Sequence, residues 1–503
     1  MHRTDARFAH RTGSWTRRAV TAALRAPVAA ATAATVLAAT VLAATVLAAT
    51  VLAATVLAAT VLAAPPAAGA PRGAGSTRCI PSLLTKHRGT VHIDFWESMV
   101  TANGATLRRL TDAFDASQRK VRVSLVQQRS YTTTWLKYQA GLSNGQLPDV
   151  VQLTSIDLQG VTDSRSVTPV QSCMTATHYK TSDFIPRVLA AYKLNGVQIG
   201  MPFAVSGPVL LYNELVLAKD GITSPPRTLG QFVTDAEILK AHGSGVGLKL
   251  DPWHLETWLA SANLAFVNHR NGRRGRATKA VFDTRVAKKI WGDLDHMVKS
   301  GAASTNPATG PEEYDNLLGI GSGKYAMTID TTAVLGTVEQ VLAGGHYPNV
   351  KLGVAPFPVY STKVRGGIEV GGSALYISNR QPAIDQVASW DYISYLDSTR
   401  SQAVWAKGTG YIPIRKSSAK TATVKALWKA SPGYKVAYEQ LVGGANSYAT
   451  AGAVIGPYTQ VRTAELNAEK SMYQSGVSPS TALENATHQI DQILAQYDRR
   501  IGS

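Results

Sequence analysis

Three short clusters hold side chains that could do chemistry. Trp96-Glu97-Ser98, Arg129-Ser130-Tyr131 and Thr154-Ser155-Ile156-Asp157 each follow a short β-rich run. Aromatic rings stack on the apolar faces of polyhydroxylated molecules, and hydroxyls hydrogen-bond the rest. Glu97 and Asp157 are the rim carboxylates that could act as an acid–base pair on a glycosidic bond, which needs a separation of ~5–10 Å. Both also fit the bland role of rim or helix-cap carboxylates, and Trp96 fits core packing. Trp253 and Trp258 start a helix after Asp251-Pro252. Five residues apart, they cannot share a helical face, so one is free to face a cleft; Trp253, at the helix start, is the candidate. Gly-x-Ser-x-Gly and His-Glu-x-x-His are absent from the sequence. A phosphate loop at Gly319–Lys324 is excluded, because Leu318 and Tyr325 stand where glycine and Ser/Thr are required.

Alternating apolar patterns position these clusters. Val91–Trp96 and Val121–Val126 read as strands, and Pro148–Leu153 as a short buried one. Leu107, Leu110 and Phe114 line one face of an intervening helix, and 132–142 reads as a second helix. Strand, helix, strand, helix, strand predicts a parallel α/β sheet, whose ligands sit beyond the strand carboxyl ends. The stretch Met201–Asn213 has Pro202 near its start, a small Ser206-Gly207-Pro208 turn and then an apolar Val209–Tyr212 run. A strand that exposes a serine and then enters a core suits a chain passing between two lobes. Ala482–Tyr497 reads as an amphipathic docking helix with Ile490, Ile493 and Leu494 inward.

The 503-residue chain carries a net charge of +18. Residues 1–78 hold eight Arg and one Asp, a net of +7, which leaves +11 on the remainder. Within this leader, six tandem Thr-Val-Leu-Ala-Ala copies run from Thr35 to Ala64, behind Arg17, Arg18 and Arg25. Basic flank, apolar core and small-residue exit are the plan of an expanded secretory signal; its uncharged length also fits a retained membrane anchor. The basic run Arg270–Arg276 reads as a solvated loop, with a phosphate or partner contact as the alternative. Nothing in the sequence has the pattern of a nucleic-acid binder or a zinc site, and no cofactor is implied. The two cysteines, Cys79 and Cys173, lie in a chain expected to be exported, which favours a disulfide.

Several stretches resemble extracellular solute-binding proteins of ABC importers, in the carbohydrate and glycerol-3-phosphate branch. They are Phe95-Trp96-Glu97-Ser98-Met99, Pro148-Asp149-Val150, Met201–Asn213, Pro225-Pro226-Arg227-Thr228, Gly321–Asp330, Gly371–Ile377 and Gly408–Pro413. The resemblance spans 90–500 in order. It implies a two-lobe α/β fold of the periplasmic-binding-protein type II, with the ligand cleft between lobes. One lobe would comprise 79–200 plus 331–378, the other 201–330 plus 379–503. The resemblance implies ligand contacts from Tyr131, Ser206, Trp253 and Tyr411, and from the crossing segments at Asp330, Thr332, Gly372 and Ser373. Trp96, Glu97, Ser155 and Asp157 complete the expected site.

Two positions depart from the glycerol-phosphate pattern. Ser155 stands where an acidic residue is expected, and the phosphate-clamping arginine falls near Val454. Loss of a bidentate arginine is a large loss for a phosphate monoester. The expected function is therefore capture of a neutral sugar, oligosaccharide or polyol by a monomer, without catalysis. Hinge closure would deliver the ligand to a membrane permease outside the cytoplasm. The competing readings are a glycerol-3-phosphate or glycerophosphodiester binder, an exported sugar hydrolase, and a module for peptides or surface polymers.

Overall fold

The computed structural model describes residues 79–305 and 315–502. The expectations for the leader, residues 1–78, lie outside the described residues. In chain order the first lobe begins β1 (Val91–Glu97), α1 (Thr101–Ser117), β2 (Val121–Gln127), α2 (Tyr131–Asn144), β3 (Val150–Thr154), α3 (Leu158–Asp163), β4 (Val167–Thr168), α4 (Pro186–Ala191) and β5 (Met201–Ser206). The chain then builds β6 (Pro208–Asn213), α5 (Leu229–Ala241), β7 (Val246–Leu248), α6 (Pro252–Ser261), α7 (Arg285–Ser300), β8 (Ala303–Thr305), β9 (Met327–Thr331), α8 (Leu335–Ala343) and β10 (Leu352–Pro356) of the second lobe. It returns through β11 (Gly371–Ser378), α9 (Ala383–Leu396) and α10 (Thr399–Gly408), and finishes with α11 (Pro432–Gly443), α12 (Tyr458–Ser475) and α13 (Pro479–Gly502).

The first sheet runs β2-β1-β3-β11-β4, with β5 also paired to β11. β1 lies parallel to β2 and β3, while β11 is antiparallel to β3 and β5. Val91, Ile93, Phe95 and Glu97 alternate into the core and the residues between them turn to the other face. Leu107, Leu110 and Phe114 of α1 are buried, as their spacing predicts. The second sheet runs β8-β7-β9-β6-β10. Here α13 buries Ile490 and Leu494 against α12 and α7, while Ile493 is partly buried.

Pro202 meets the constraint that kept it out of a doubly paired strand. It sits on β5, whose only ladder is with β11, and the register shifts opposite it between Ser373 and Ala374. Two residues after Ser206, at Pro208, the chain is in the other sheet. Gly207 alone links β5 to β6, and a side chain there would run into Ile368 at 2.4 Å.

The lobe boundaries differ from those expected. Met201–Ser206 stays in the first sheet, so the crossing is at Gly207 rather than at 200. The Gly321–Asp330 stretch leads into β9, which pairs antiparallel with β6 and so remains in the second sheet. Residues 331–356 follow it there, and β10 pairs with β6. After β11, helices α9 and α10 stay with the first lobe, packing on β1 and α1. The expected boundaries took the motifs Met201–Asn213, Gly321–Asp330 and Gly371–Ile377 for crossings, whereas ladder pairing decides membership.

Cys79 and Cys173 form a disulfide across a sequence separation of 94 residues. It fastens the segment that precedes β1 to the buried Cys173 on the short helix Val170–Ala176 of the first lobe. By chain entropy, closing such a loop contributes ~4–5 kcal/mol. Replacing both cysteines by alanine should lower urea stability by about that amount, and reductant should bring the wild type to the same level. An unchanged urea midpoint in reductant would contradict this role.

Candidate functional site

The strands that meet at the crossing bring a set of hydroxyls and rings together. Tyr131 opens α2 directly after its cap, Ser130, whose side chain accepts from the Thr133 amide. Its hydroxyl lies 3.0 Å from the Tyr411 hydroxyl and donates to Ser373 Oγ at 3.3 Å. Gln152 Nε2 also donates to Ser373 Oγ, at 2.8 Å, and Gln152 Oε1 accepts from the Ser98 amide. Tyr411 is stacked on Trp405, and Trp405 on Phe203, with centroids 5.4 and 4.7 Å apart. These contacts fix the tyrosine rings before any ligand arrives.

Two residues before Ser373, Gly371 pairs with Ser206 across the β11–β5 ladder. The Trp253 ring of the second lobe lies against Gly371; a β-carbon there would approach the indole to 2.2 Å. Asp251 caps α6 by accepting from the Trp253 amide, which sets the angle of the ring. Gly372 has φ of 95° and its backbone presses on Ala204, so no larger residue fits between the strands. Trp253, Gly371–Ser373, Ser206, Tyr131 and Tyr411 thus converge where the lobes meet. A half-buried ring beside a row of hydroxyls can stack on one face of a polyol and hydrogen-bond its edge.

Other expected residues are held elsewhere. The Trp96 ring carries Lys137 Nζ 3.9 Å from its centroid. Glu97 turns to the opposite face of the sheet, where Oε2 accepts from the Met99 amide at 2.5 Å. Burial pushes its carboxyl up, against the pull of that bond and of Arg108. Asp157 closes a capping box, accepting from the Thr154 amide and hydroxyl at 2.9 and 2.7 Å. Ser155 lies half-buried in the same turn. Asp330 accepts from Lys249 Nζ, Asn316 Nδ2 and the Thr331 amide, all inside the second lobe. Thr332 is buried and bonds Gly207 through both its amide and its hydroxyl. Asp330 and Thr332 are therefore supports of the crossing, and Glu97 and Asp157 are each committed to a local turn.

Sequence reasoning missed Gln152 and the buried charges around Glu256, on the Trp253 helix. A glutamine inside the apolar run Val150–Leu153 was the available signal for the first. On the same helix as Trp253, Glu256 is gripped bidentately by Arg462, with Nε–Oε1 at 3.1 Å. Glu369, Glu465 and Glu469 are also buried. Burial first, and repulsion from Glu256 and other carboxylates second, push all three carboxyls up. Val454 is buried, and its amide donates to the Asn271 carbonyl. Among the described residues, no group of His, Cys, Asp or Glu is placed to hold a metal ion.

Residues 109–432 match the family model of bacterial extracellular solute-binding proteins. The chain belongs to this family. The sn-glycerol-3-phosphate-binding periplasmic protein UgpB of Yersinia pestis is 23% identical over 437 residues, covering 84% of this chain and 97% of the relative. UgpB from Mycobacterium tuberculosis, solved with glycerophosphocholine, superposes with a TM-score of 0.68 at 20% identity, covering 82% of this chain and 100% of that one. The GacH receptor of Streptomyces glaucescens, solved unliganded and with acarbose, gives a TM-score of 0.66 at 21% identity, covering 81% and 99%. As a solute-binding protein, the chain has the expected two-lobe, type II periplasmic-binding-protein fold.

Asp157 gives the turn after β3 a measurable pH signature. Burial lifts its carboxyl from 3.8 to about 6, although both Thr154 bonds pull it down. The folded protein therefore holds this proton more tightly than the unfolded chain. Below about pH 4 both states keep it and no cost arises; as pH rises through about 6 a cost of up to ~3 kcal/mol develops. Asp157→Asn should remove that slope, so urea stability of the wild type should fall relative to the variant between pH 4 and pH 7. A difference constant across that range would contradict the assignment.

Proposed function

We propose that this protein is the substrate-binding component of an ABC importer for a sugar, oligosaccharide or polyol. The observation that carries the reading is the convergence of the Trp253 ring with the hydroxyls of Tyr131, Ser373 and Tyr411 at the lobe crossing. Ligand would stack on Trp253 and hydrogen-bond the hydroxyl row, and the lobes would close over it. The closed form would present both lobes to a membrane permease. The basic, apolar leader fits export, and among the described residues no helix is long and apolar enough to cross a membrane. The protein would act outside the cytoplasm as a monomer, and no step calls for catalysis.

A glycerophosphodiester is the second reading, favoured by the UgpB relatives. Against a phosphate monoester stand Val454, where a clamping arginine is expected, and Ser155, where an acid is expected.

Thermal-shift screening with maltose, maltotriose, glycerol, glycerol 3-phosphate and glycerophosphocholine tests the choice. A ligand at 100 times its Kd should stabilise the fold by ~2.7 kcal/mol. Neutral compounds should raise Tm, and Trp253→Ala should weaken their binding about ten-fold or more. If phosphate compounds alone shift the melt, the sugar reading is wrong.

A further inference from the structure

The basic run at 270–276 is more than a solvated loop. His269, Arg270 and Asn271 all adopt left-handed backbone, with φ of 52°, 54° and 61°, and Gly272 follows at 73°. Non-glycine residues rarely enter this region, so three in succession need outside support. Asn271 provides it: its Oδ1 accepts from the Phe266 and Val267 amides at 2.8 and 3.1 Å. The loop is thereby aimed at the first lobe. Arg273 donates to the Ala190 carbonyl at the end of α4, at 2.8 Å, and to Gly452 at 2.9 Å. Arg276 then makes a parallel two-bond contact with Asp163 at the end of α3, both bonds at 2.7 Å.

Asp163 is fully engaged. Oδ2 accepts from Arg276 and from the Tyr497 hydroxyl of α13 at 2.7 Å, and Oδ1 from Arg276 and from Gln159 at 2.8 Å. Three of these four bonds come from the second lobe. The aspartate side chain is 11% exposed and the arginine 42%. An ordinary exposed pair contributes little, but a bidentate guanidinium on a nearly buried, fully hydrogen-bonded carboxylate is geometrically specific. Asp163 also ends the short helix that begins at Leu158, directly after the Ser155–Asp157 turn at the end of β3. The contact therefore sits one short helix away from the strand end beside the cleft.

We propose that Asp163, Arg276 and Tyr497 form an ionic latch that holds the two lobes closed. Opening of the cleft along this edge separates α3 from the 269–276 loop and breaks the bidentate pair. The latch rests on the reading of this protein as one that binds by lobe closure. It adds a salt-sensitive component to the closed state that is independent of ligand.

Small-angle scattering of the ligand-free protein tests it. Asp163→Asn and Arg276→Gln should each raise the radius of gyration at low salt, with the closed population falling about three- to ten-fold. The double variant should open no further than either single one. Raising salt to about 0.5 M should open the wild type toward the same radius and leave the variants unchanged. Arg274→Gln, an exposed neighbour on the same loop, should behave as wild type. The proposal fails if either latch variant keeps the wild-type radius while retaining a native melt, or if Arg274→Gln opens the protein equally. Opening without binding of any sugar or phosphate compound would instead sink the importer reading and leave the latch standing.

Discussion

Ser206 ends a strand of one sheet and Pro208 begins a strand of the other, so Gly207 alone must turn the chain between two hydrogen-bonded ladders. Little freedom exists at such a point. The Gly207 carbonyl accepts from Thr332 and its α-carbon packs under Ile368, which draws the end of β9 and the approach to β11 to the same place. Because β11 pairs with β5 immediately beyond, Gly371 is forced beside Ser206, and Trp253 can cover it only because it lacks a side chain. The cleft chemistry is thus a by-product of this one-residue link between the two sheets.

Charge is handled differently above and below this point. Toward the cleft, the converging groups are hydroxyls and rings, which bind polar ligands without a large desolvation cost. On the Trp253 helix, Glu256 has Arg462, while Glu369, Glu465 and Glu469 are buried with their carboxyls pushed up. Protonation is the least costly way to keep several acids in a low-dielectric interior. Glu256 has its charge answered by a partner, and the other three acids sit where burial disfavours ionisation.

What the sequence made legible follows from how local each feature is. Two cysteines in an exported-looking chain point to one bond, and Leu107, Leu110 and Phe114 announce their helix by spacing alone. Tyr131, Ser206, Trp253, Ser373 and Tyr411 lie in motifs whose order survives in the chain, and the structure gathers them. Trp96 and Glu97 form one rim cluster in the sequence, yet adjacent strand residues must face opposite ways. Lobe membership was illegible because β11 reaches the first sheet from more than 200 positions beyond β3, and no local pattern encodes that pairing. The arginine run misled because charge density says nothing about backbone; four left-handed residues, invisible in composition, turn Arg273 and Arg276 onto the other lobe.

The place of β11 has a consequence for how the molecule is made. It lies between β3 and β4 in the middle of the first sheet, although Val150 and Ile377, which pair there, are far apart in the chain. A polypeptide appearing N-terminus first can pair β1 with β2 and β3 early, but β4 and β5 have no strand to join them to that sheet until residue 378 has emerged. Such long-range pairing is slow, because loop-closure entropy is lost before contacts offset it. The first lobe therefore stays unfinished through most of synthesis, its early strands waiting for the one that ties them to the crossing.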